Sequence, residues 1–423
     1  MRIKKLHDFY NKGVDLSSLH RIYIVVWLIT ILLYSFHFIG YYMKFEWGGK
    51  LSIFLFSTLF VMLISGIRLR RSNPIAGRID FNSLFNPITL EFITKKANRL
   101  FWFWIFGNIV TVVLQGGFPL LWKFLGIPKT YADYGIPTFN GFLNSLYYIC
   151  GMIFFVTLFK DRSIRNILRF AVLVIFPILT INRALFLALT LQCLGLFILT
   201  NRIKVKVLIR ILILGLILVI GFGIIGDMRL GANKHIIRDL VAPEYSEIQE
   251  KIPSGFIWTY LYATGTIDNL NYNIGNLESV GFPYYTIQPI VPSVLRSLIF
   301  GVVDYEHSYS LSMSNAMFNT FSWLANYLRD FGPAFTVLIV FIYGCVFRRV
   351  QNRARKGNIK YVFLYPVLFM VVVLSVFWDY MISLPTIFEI IILCRIFRPS
   401  VVRQLEDENI FGLIMGSTVI TIN

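Results

Sequence analysis

Long apolar runs alternate with short polar segments along most of this chain. Ten runs reach or approach the roughly 20 residues that a helix needs to cross a bilayer: 22–40, 51–67, 100–116, 141–159, 170–181, 184–199, 207–226, 333–347, 361–380 and 383–396. The fifth is short, and its neighbours decide how it is read. Lys160, Arg162, Arg165 and Arg169 precede the fifth and sixth runs, and Arg202, Lys204, Lys206 and Arg210 follow them. With both basic segments on one face, the chain must go out and return between them. The fifth and sixth runs are therefore two short spans that meet at Asn182 and Arg183.

Composition agrees with a bilayer as solvent. Of 423 residues, 57% are hydrophobic and 15% charged, against about 25% charged in an ordinary soluble domain. The expected fold is an all-α polytopic membrane protein with about ten transmembrane helices, forming a single integral membrane domain over 1–423. Cys150, Cys193, Cys345 and Cys394 all fall inside apolar runs and read as small buried hydrophobes, with no disulfide framework or metal-ligand spacing.

Charge sets the orientation, because cytoplasmic loops carry the excess of Lys and Arg. With both termini inside, the cytoplasmic segments hold 29 of the 40 basic and 8 of the 22 acidic residues, a net of +21. The outer segments and adjoining span ends hold 11 and 14, a net of −3. The formal charge of +18 is thus mostly topology and not a nucleic-acid footprint, the basic run 348–360 included. The largest outer loop runs from 227 to 332. Its stretches 257–270 and 282–300 are apolar enough to lie on the membrane or dip into it, so the loop is expected to roof a cavity.

The chain has no Walker loop, dinucleotide fingerprint, His-Glu-x-x-His or Gly-x-Ser-x-Gly, and its loops have no Asp-x-Asp. A reaction on the outer face needs a substrate activated by its own lipid carrier, such as a polyprenyl-pyrophosphate-linked sugar. Its pyrophosphate calls for fixed cations, and arginine binds phosphate oxygens bidentately. The outer half offers Arg183, Arg229, Arg238, Arg296 and Arg329. Each also has a plain structural alternative: Arg183 as an interfacial or hairpin charge, Arg229 paired with Asp227, Arg238 with Asp239, Arg329 with Asp330. Arg296 stands alone in an apolar stretch. Candidate acids and bases are Asp268, Asp330, Glu306, His307 and His235. Glu389 lies mid-span, where an acid is costly and is either functional or a helix–helix hydrogen bond. Trp258, Tyr260 and Tyr262 offer sugar-stacking faces or interface anchors.

Four segments, in this order, resemble the bacterial O-antigen polymerases, the Wzy-type enzymes that polymerise oligosaccharide repeat units: 115–121 (QGGFPLL), 180–184 (TINRA), 260–270 (YLYATGTIDNL) and 326–332 (NYLRDFG). The layout of short early loops, one large late outer loop and two closing spans is similar as well. The resemblance covers about 100–397. It implies a glycosyltransferase with a C-type (GT-C-like) transmembrane bundle in the bacterial inner membrane. The implied reaction, at the periplasmic face, moves the growing chain from its undecaprenyl pyrophosphate onto the incoming unit. It implies a pyrophosphate-binding role for Arg183 and Arg229 first, then Arg238 and Arg296, and a chain-length regulator as partner. In the expected scheme arginines hold the pyrophosphate, Asp330 or Asp268 accepts the acceptor's proton, and no metal or other cofactor takes part. An O-antigen ligase is the close rival. A lipid-linked oligosaccharide flippase and an assembly subunit are the rivals from other classes.

Overall fold

The computed structural model describes residues 16–67, 81–201, 203–230, 236–275, 277–300, 311–315, 319–403 and 405. The candidates His235, Glu306 and His307 lie outside these residues. Apart from an isolated bridge between Ile39 and Val241, the regular structure described is helical. The principal helices are α1 (Leu19–Ser35), α2 (Lys50–Gly66), α3 (Pro87–Gln115), α4 (Phe139–Lys160), α5 (Ile164–Leu179), α6 (Arg183–Thr200), α7 (Val205–Leu230), α8 (Ser254–Ile274), α9 (Leu324–Arg355), α10 (Ile359–Leu374) and α11 (Leu384–Ile396). Each of the ten apolar runs falls on one of them, and α8 is additional. Among the described residues four helical stretches are long and apolar enough to cross a membrane: Pro87–Phe124, Phe139–Lys160, Arg183–Thr200 and Leu324–Arg355. The helices α1, α2 and α10 are shorter and also apolar. The chain is a helical membrane protein.

Several boundaries differ from the runs, among them those of α3, α9 and α10. The helix α3 starts at Pro87, not at residue 100. Asn86 caps it by accepting the Thr89 N–H at 2.8 Å, and Pro87 supplies a first-turn residue whose missing N–H is no loss. The helix α10 ends at Leu374, leaving 375–383 without helix to α11. The helix α9 begins nine residues earlier than the apolar run, at Leu324, and is broken at Gly332, whose φ of 77° and ψ of 178° are non-helical.

The chain forms two compact units. The first takes Met1–Leu69, Arg202–Arg348 and Val371–Ser383, the second Arg70–Asn201, Arg349–Met370 and Leu384–Asn423. In the first, α8 packs along α7 and against α1 and α2. The approach of α7 and α8 depends on glycine. A Cβ on Gly255 would meet the Val219 carbonyl oxygen at 2.2 Å, and one on Gly223 would meet the Gly255 nitrogen at 2.3 Å. Gly344 plays the same part between α9 and α2, where a Cβ would lie 1.9 Å from Ser65 Oγ. The His20 side chain joins α1 to that point, Nε2 lying 2.9 Å from the Gly344 carbonyl oxygen.

In the second unit α4 touches α3, α5, α6 and α11. Its interior face is almost wholly buried from Leu143 to Thr157, with Cys150 among the buried residues. Gly107 receives Leu143, and Gly151 receives Leu189. Trp104 of α3 sets its ring edge-on to Phe176 of α5 at 4.8 Å between centroids.

Candidate functional site

The four segments that carry the family resemblance each do identifiable local work. In 115–121, Gly116 and Gly117 have φ of 72° and 132°, end α3 and return their N–H groups to Val113 and Val112. Such positive φ costs glycine little. Pro119 then opens the short helix Pro119–Phe124, whose Trp122 donates Nε1–H to the Gly116 carbonyl at 3.3 Å.

In 180–184, the turn between α5 and α6 places Arg183. Ile181 has φ of 48°, a left-handed conformation that is rare for a β-branched side chain. Asn182 caps α6, its side-chain oxygen accepting the Ala184 and Leu185 N–H groups at 3.1 and 3.2 Å. Arg183 is the first residue of α6 and only 8% exposed. A buried guanidinium therefore coincides with the positive end of a helix dipole, an arrangement that favours an anion.

In 260–270, the segment lies on α8 and holds two strips of chain. Tyr260, Thr264, Asp268 and Asn271 follow each other at helical spacing and meet α1 and the turn after it. The Tyr260 hydroxyl donates to the Leu33 carbonyl at 2.6 Å, and Thr264 pairs with Tyr42 Oη at 3.0 Å. Asp268, fully buried, accepts the Tyr34 hydroxyl and the Met43 N–H, each at 2.8 Å, and the Ser314 hydroxyl. Burial raises its carboxyl above the usual aspartate range, against the pull of those donors. On a second face Asn269 accepts the Ser314 N–H at 2.8 Å and donates to Thr320 O at 2.9 Å. Asn273 accepts the Ser312 N–H at 3.1 Å and donates to Ser312 O at 2.7 Å. Residues Ser254–Ile274, in the stretch expected as a loop, are thus a packed helix.

In 326–332, the break at Gly332 makes a docking edge. Pro333 has no N–H for the Arg329 carbonyl, which would accept it in an unbroken helix. Val280 supplies one at 3.0 Å, and Gly281 donates to the Asp330 carbonyl at 2.8 Å. The buried Asp330 side chain accepts the Tyr285 and Thr286 N–H groups at 2.9 and 2.8 Å and the Thr286 hydroxyl at 2.6 Å, starting the short helix Tyr284–Ile287. Arg329 donates to the Glu278 carbonyl at 3.1 Å and covers the Tyr285 ring.

The remaining arginines are dispersed. Arg229 stands in the last turn of α7, and its side chain is outside the described residues. Its neighbour Asp227 accepts the Ser254 hydroxyl at 2.6 Å and Trp258 Nε1–H at 3.2 Å. Arg238 donates to the Gln249 carbonyl. Arg296, half-buried on the helix Ser293–Phe300, donates to the Val291 carbonyl at 3.2 Å while its buried Nε has no hydrogen-bond partner. Desolvation lowers its pKa from the ordinary arginine value. Tyr262 pairs with the Trp258 ring at 5.9 Å. Among the described residues no three His, Cys, Asp or Glu side chains are grouped to hold a metal ion.

No protein-family model, curated protein or solved structure matches this chain.

Two further acids are buried. Glu389 of α11 is fully buried, and its Oε2 accepts Gln192 Nε2–H of α6 at 3.0 Å. Glu389 Oε1 and Gln192 Oε1 are left without partners. Asp379, in the 375–383 connector, is 2% exposed. Sequence reading enclosed it in the run 361–380 and passed over it. The signal was an acid (FWDY) at the edge of an otherwise uncharged run.

Proposed function

We propose that the protein is a membrane glycosyltransferase of the O-antigen polymerase kind. It joins lipid-pyrophosphate-linked repeat units at the outer face of the bacterial inner membrane, with both termini in the cytoplasm and about ten spans in a GT-C-like bundle. The observation that carries the reading is Arg183. It is buried at the N-terminal end of α6, on a turn with strained backbone at Ile181. Strain of this kind costs about 1–3 kcal/mol and persists where the surroundings impose it. A pyrophosphate placed there meets both the guanidinium and the helix dipole.

In this reading arginines hold the donor pyrophosphate and stabilise the charge that develops as it leaves. Each charge-assisted hydrogen bond contributes about 1.5–3 kcal/mol, so loss of one at the transition state slows the reaction roughly ten- to a hundredfold. The ordered run of four family-like segments and the charge asymmetry of the loops support the same reading. A chain-length regulator in the same membrane is the expected partner.

The test replaces Arg183 and Arg229 separately with Ala and with Lys, at matched expression. Short or absent polysaccharide from both Ala proteins, poorly rescued by Lys, agrees with bidentate pyrophosphate binding. Long polysaccharide at normal levels from both Ala proteins rejects the clamp.

A further inference from the structure

Beyond α3 the chain turns into a short helix whose two sides differ. Gly116 and Gly117 end α3, and the helix Pro119–Phe124 follows. At helical spacing Leu121, Phe124 and Leu125 share one arc, and they are 36, 80 and 64% exposed. Pro119 and Trp122 lie outside that arc, and both are buried. Trp122 is held by its Nε1–H on the Gly116 carbonyl, by the edge of the Tyr134 ring at 6.1 Å, and by Lys129 Nζ over its own ring at 5.1 Å. Gly126, at φ of 67°, ends the helix, and the Ile127 N–H returns to the Trp122 carbonyl at 2.9 Å. The fixed inner side therefore holds the apolar arc outward.

What covers that arc follows from α3. Trp102, Phe106, Ile109 and Val113 recur at helical spacing along it and are 64, 66, 55 and 73% exposed. They form an outward apolar stripe on a stretch long and apolar enough to cross a membrane. The stripe reaches Val113 and Leu114, directly before the glycine turn, and the exposed arc resumes at Leu121. Lipid-exposed irregular backbone is not tolerated within the hydrocarbon, and Gly116 is exposed. The turn therefore marks the level at which the chain leaves the hydrocarbon, and the arc lies at that boundary. Lys123, on the side of the helix away from the arc, and Lys129 supply exposed cations there. Asp133 is turned to Thr130, accepting its N–H and hydroxyl at 2.7 and 2.9 Å. Trp122, Tyr131 and Tyr134 are residue types enriched where membrane meets water.

We propose that 119–125 is a lipid-surface anchor at the end of α3. The short helix lies along the bilayer surface, with Leu121, Phe124 and Leu125 at the acyl boundary and Lys123 toward the headgroup phosphates. The Gly116–Gly117 turn sets the bend between the crossing helix and the anchor. The segment 115–121 thereby acquires a physical role that is independent of the transfer proposed above.

The experiment uses the full chain in vesicles of phosphatidylcholine and phosphatidylglycerol, with a nitroxide label on Phe124→Cys or, separately, on Lys123→Cys. Wild-type protein labelled in parallel gives the background of the native cysteines. Collisions with oxygen, which concentrates in lipid, are compared with collisions with a water-soluble nickel chelate. The oxygen-to-nickel ratio at position 124 is expected to be several-fold above that at 123. A ratio at 124 no higher than at 123 places the arc in water and overturns the proposal. Dipolar broadening at 124 that vanishes on dilution with unlabelled protein places a second copy on the arc and overturns it as well. Leu125→Cys carries the label and is judged by the same outcomes, should the Phe124 variant not fold. Gly117→Ala adds a methyl 2.9 Å from Trp122 Nε1 on a backbone with φ of 132°. It is expected to bring the ratio at 124 toward that at 123, and an unchanged ratio overturns the role given to the turn.

Discussion

The backbone N–H of Val280 donates to the carbonyl of Arg329 at 3.0 Å, filling the place that Pro333 leaves empty in α9. The break in α9 and the docking of 278–287 are therefore one feature, with Asp330 as its side-chain anchor. Asp330→Ala leaves two part-buried N–H groups and a hydroxyl without their acceptor, at no more than about 1–3 kcal/mol for each group. Asp330→Asn keeps an acceptor oxygen and is expected to cost less. Thermal unfolding in detergent, with proteolysis within 278–287 as a local probe, should rank the proteins wild type, Asn, Ala in falling stability.

Asp268 gives a pH dependence with a definite sign. Its folded carboxyl titrates above the ordinary value because burial disfavours the charged form. A raised carboxyl stabilises the fold fully below the ordinary aspartate range, and that contribution is lost as pH rises through the folded value. Asp268→Asn cannot titrate. Wild type is therefore expected to gain stability relative to Asp268→Asn as pH falls from neutral through the raised range. Melting curves of the two proteins across that range check it, and a difference independent of pH contradicts the direction.

The glycine contact between α7 and α8 is a packing prediction. Gly255→Ala drives a methyl into the Val219 carbonyl, and overpacking of this kind costs about 1–3 kcal/mol. Gly215, also on α7, has nothing within 4 Å of an added Cβ. Gly215→Ala removes the helix penalty of glycine and is expected to be neutral or stabilising by about 0.5–1 kcal/mol. Opposite signs in the two melting shifts are the expected outcome.

Glu389 and Gln192 pair through one hydrogen bond and leave an oxygen on each side unpartnered. Glu389→Gln supplies a second amide and keeps the volume, so the variant is expected to fold with little loss. Glu389→Ala removes a buried side chain and strands the Gln192 amide, and is expected to cost about 2–5 kcal/mol. Detergent-solubilised yield and melting temperature distinguish the two.

Much of the helix layout was legible in the sequence, because a lipid-facing or buried helix writes itself as an apolar run. The start of α3 was missed for the opposite reason: its first turns (ITLEFITKKANR) are polar, and only the Asn86–Pro87 cap signal marks them. The helix α8 was read as loop material near the membrane, since its glycine, threonine and asparagine content dilutes the apolar signal. That content is what lets it meet α7 closely and bond two strips of chain. The acids were the least legible. Asp268 and Asp330 look like ordinary loop aspartates in sequence, and only the structure shows each engaged by three hydrogen bonds. The arginines were found by type, yet Arg238, Arg296 and Arg329 turn to backbone carbonyls that no local pattern announces.

Deletion of the gene in its own host, followed by electrophoresis of the lipopolysaccharide, tests the proposed function most directly. The account predicts core capped by a single repeat unit, with the long ladder restored by wild-type protein and not by Arg183→Ala. Core without any repeat unit would contradict it, since that is the result expected for a ligase or a flippase.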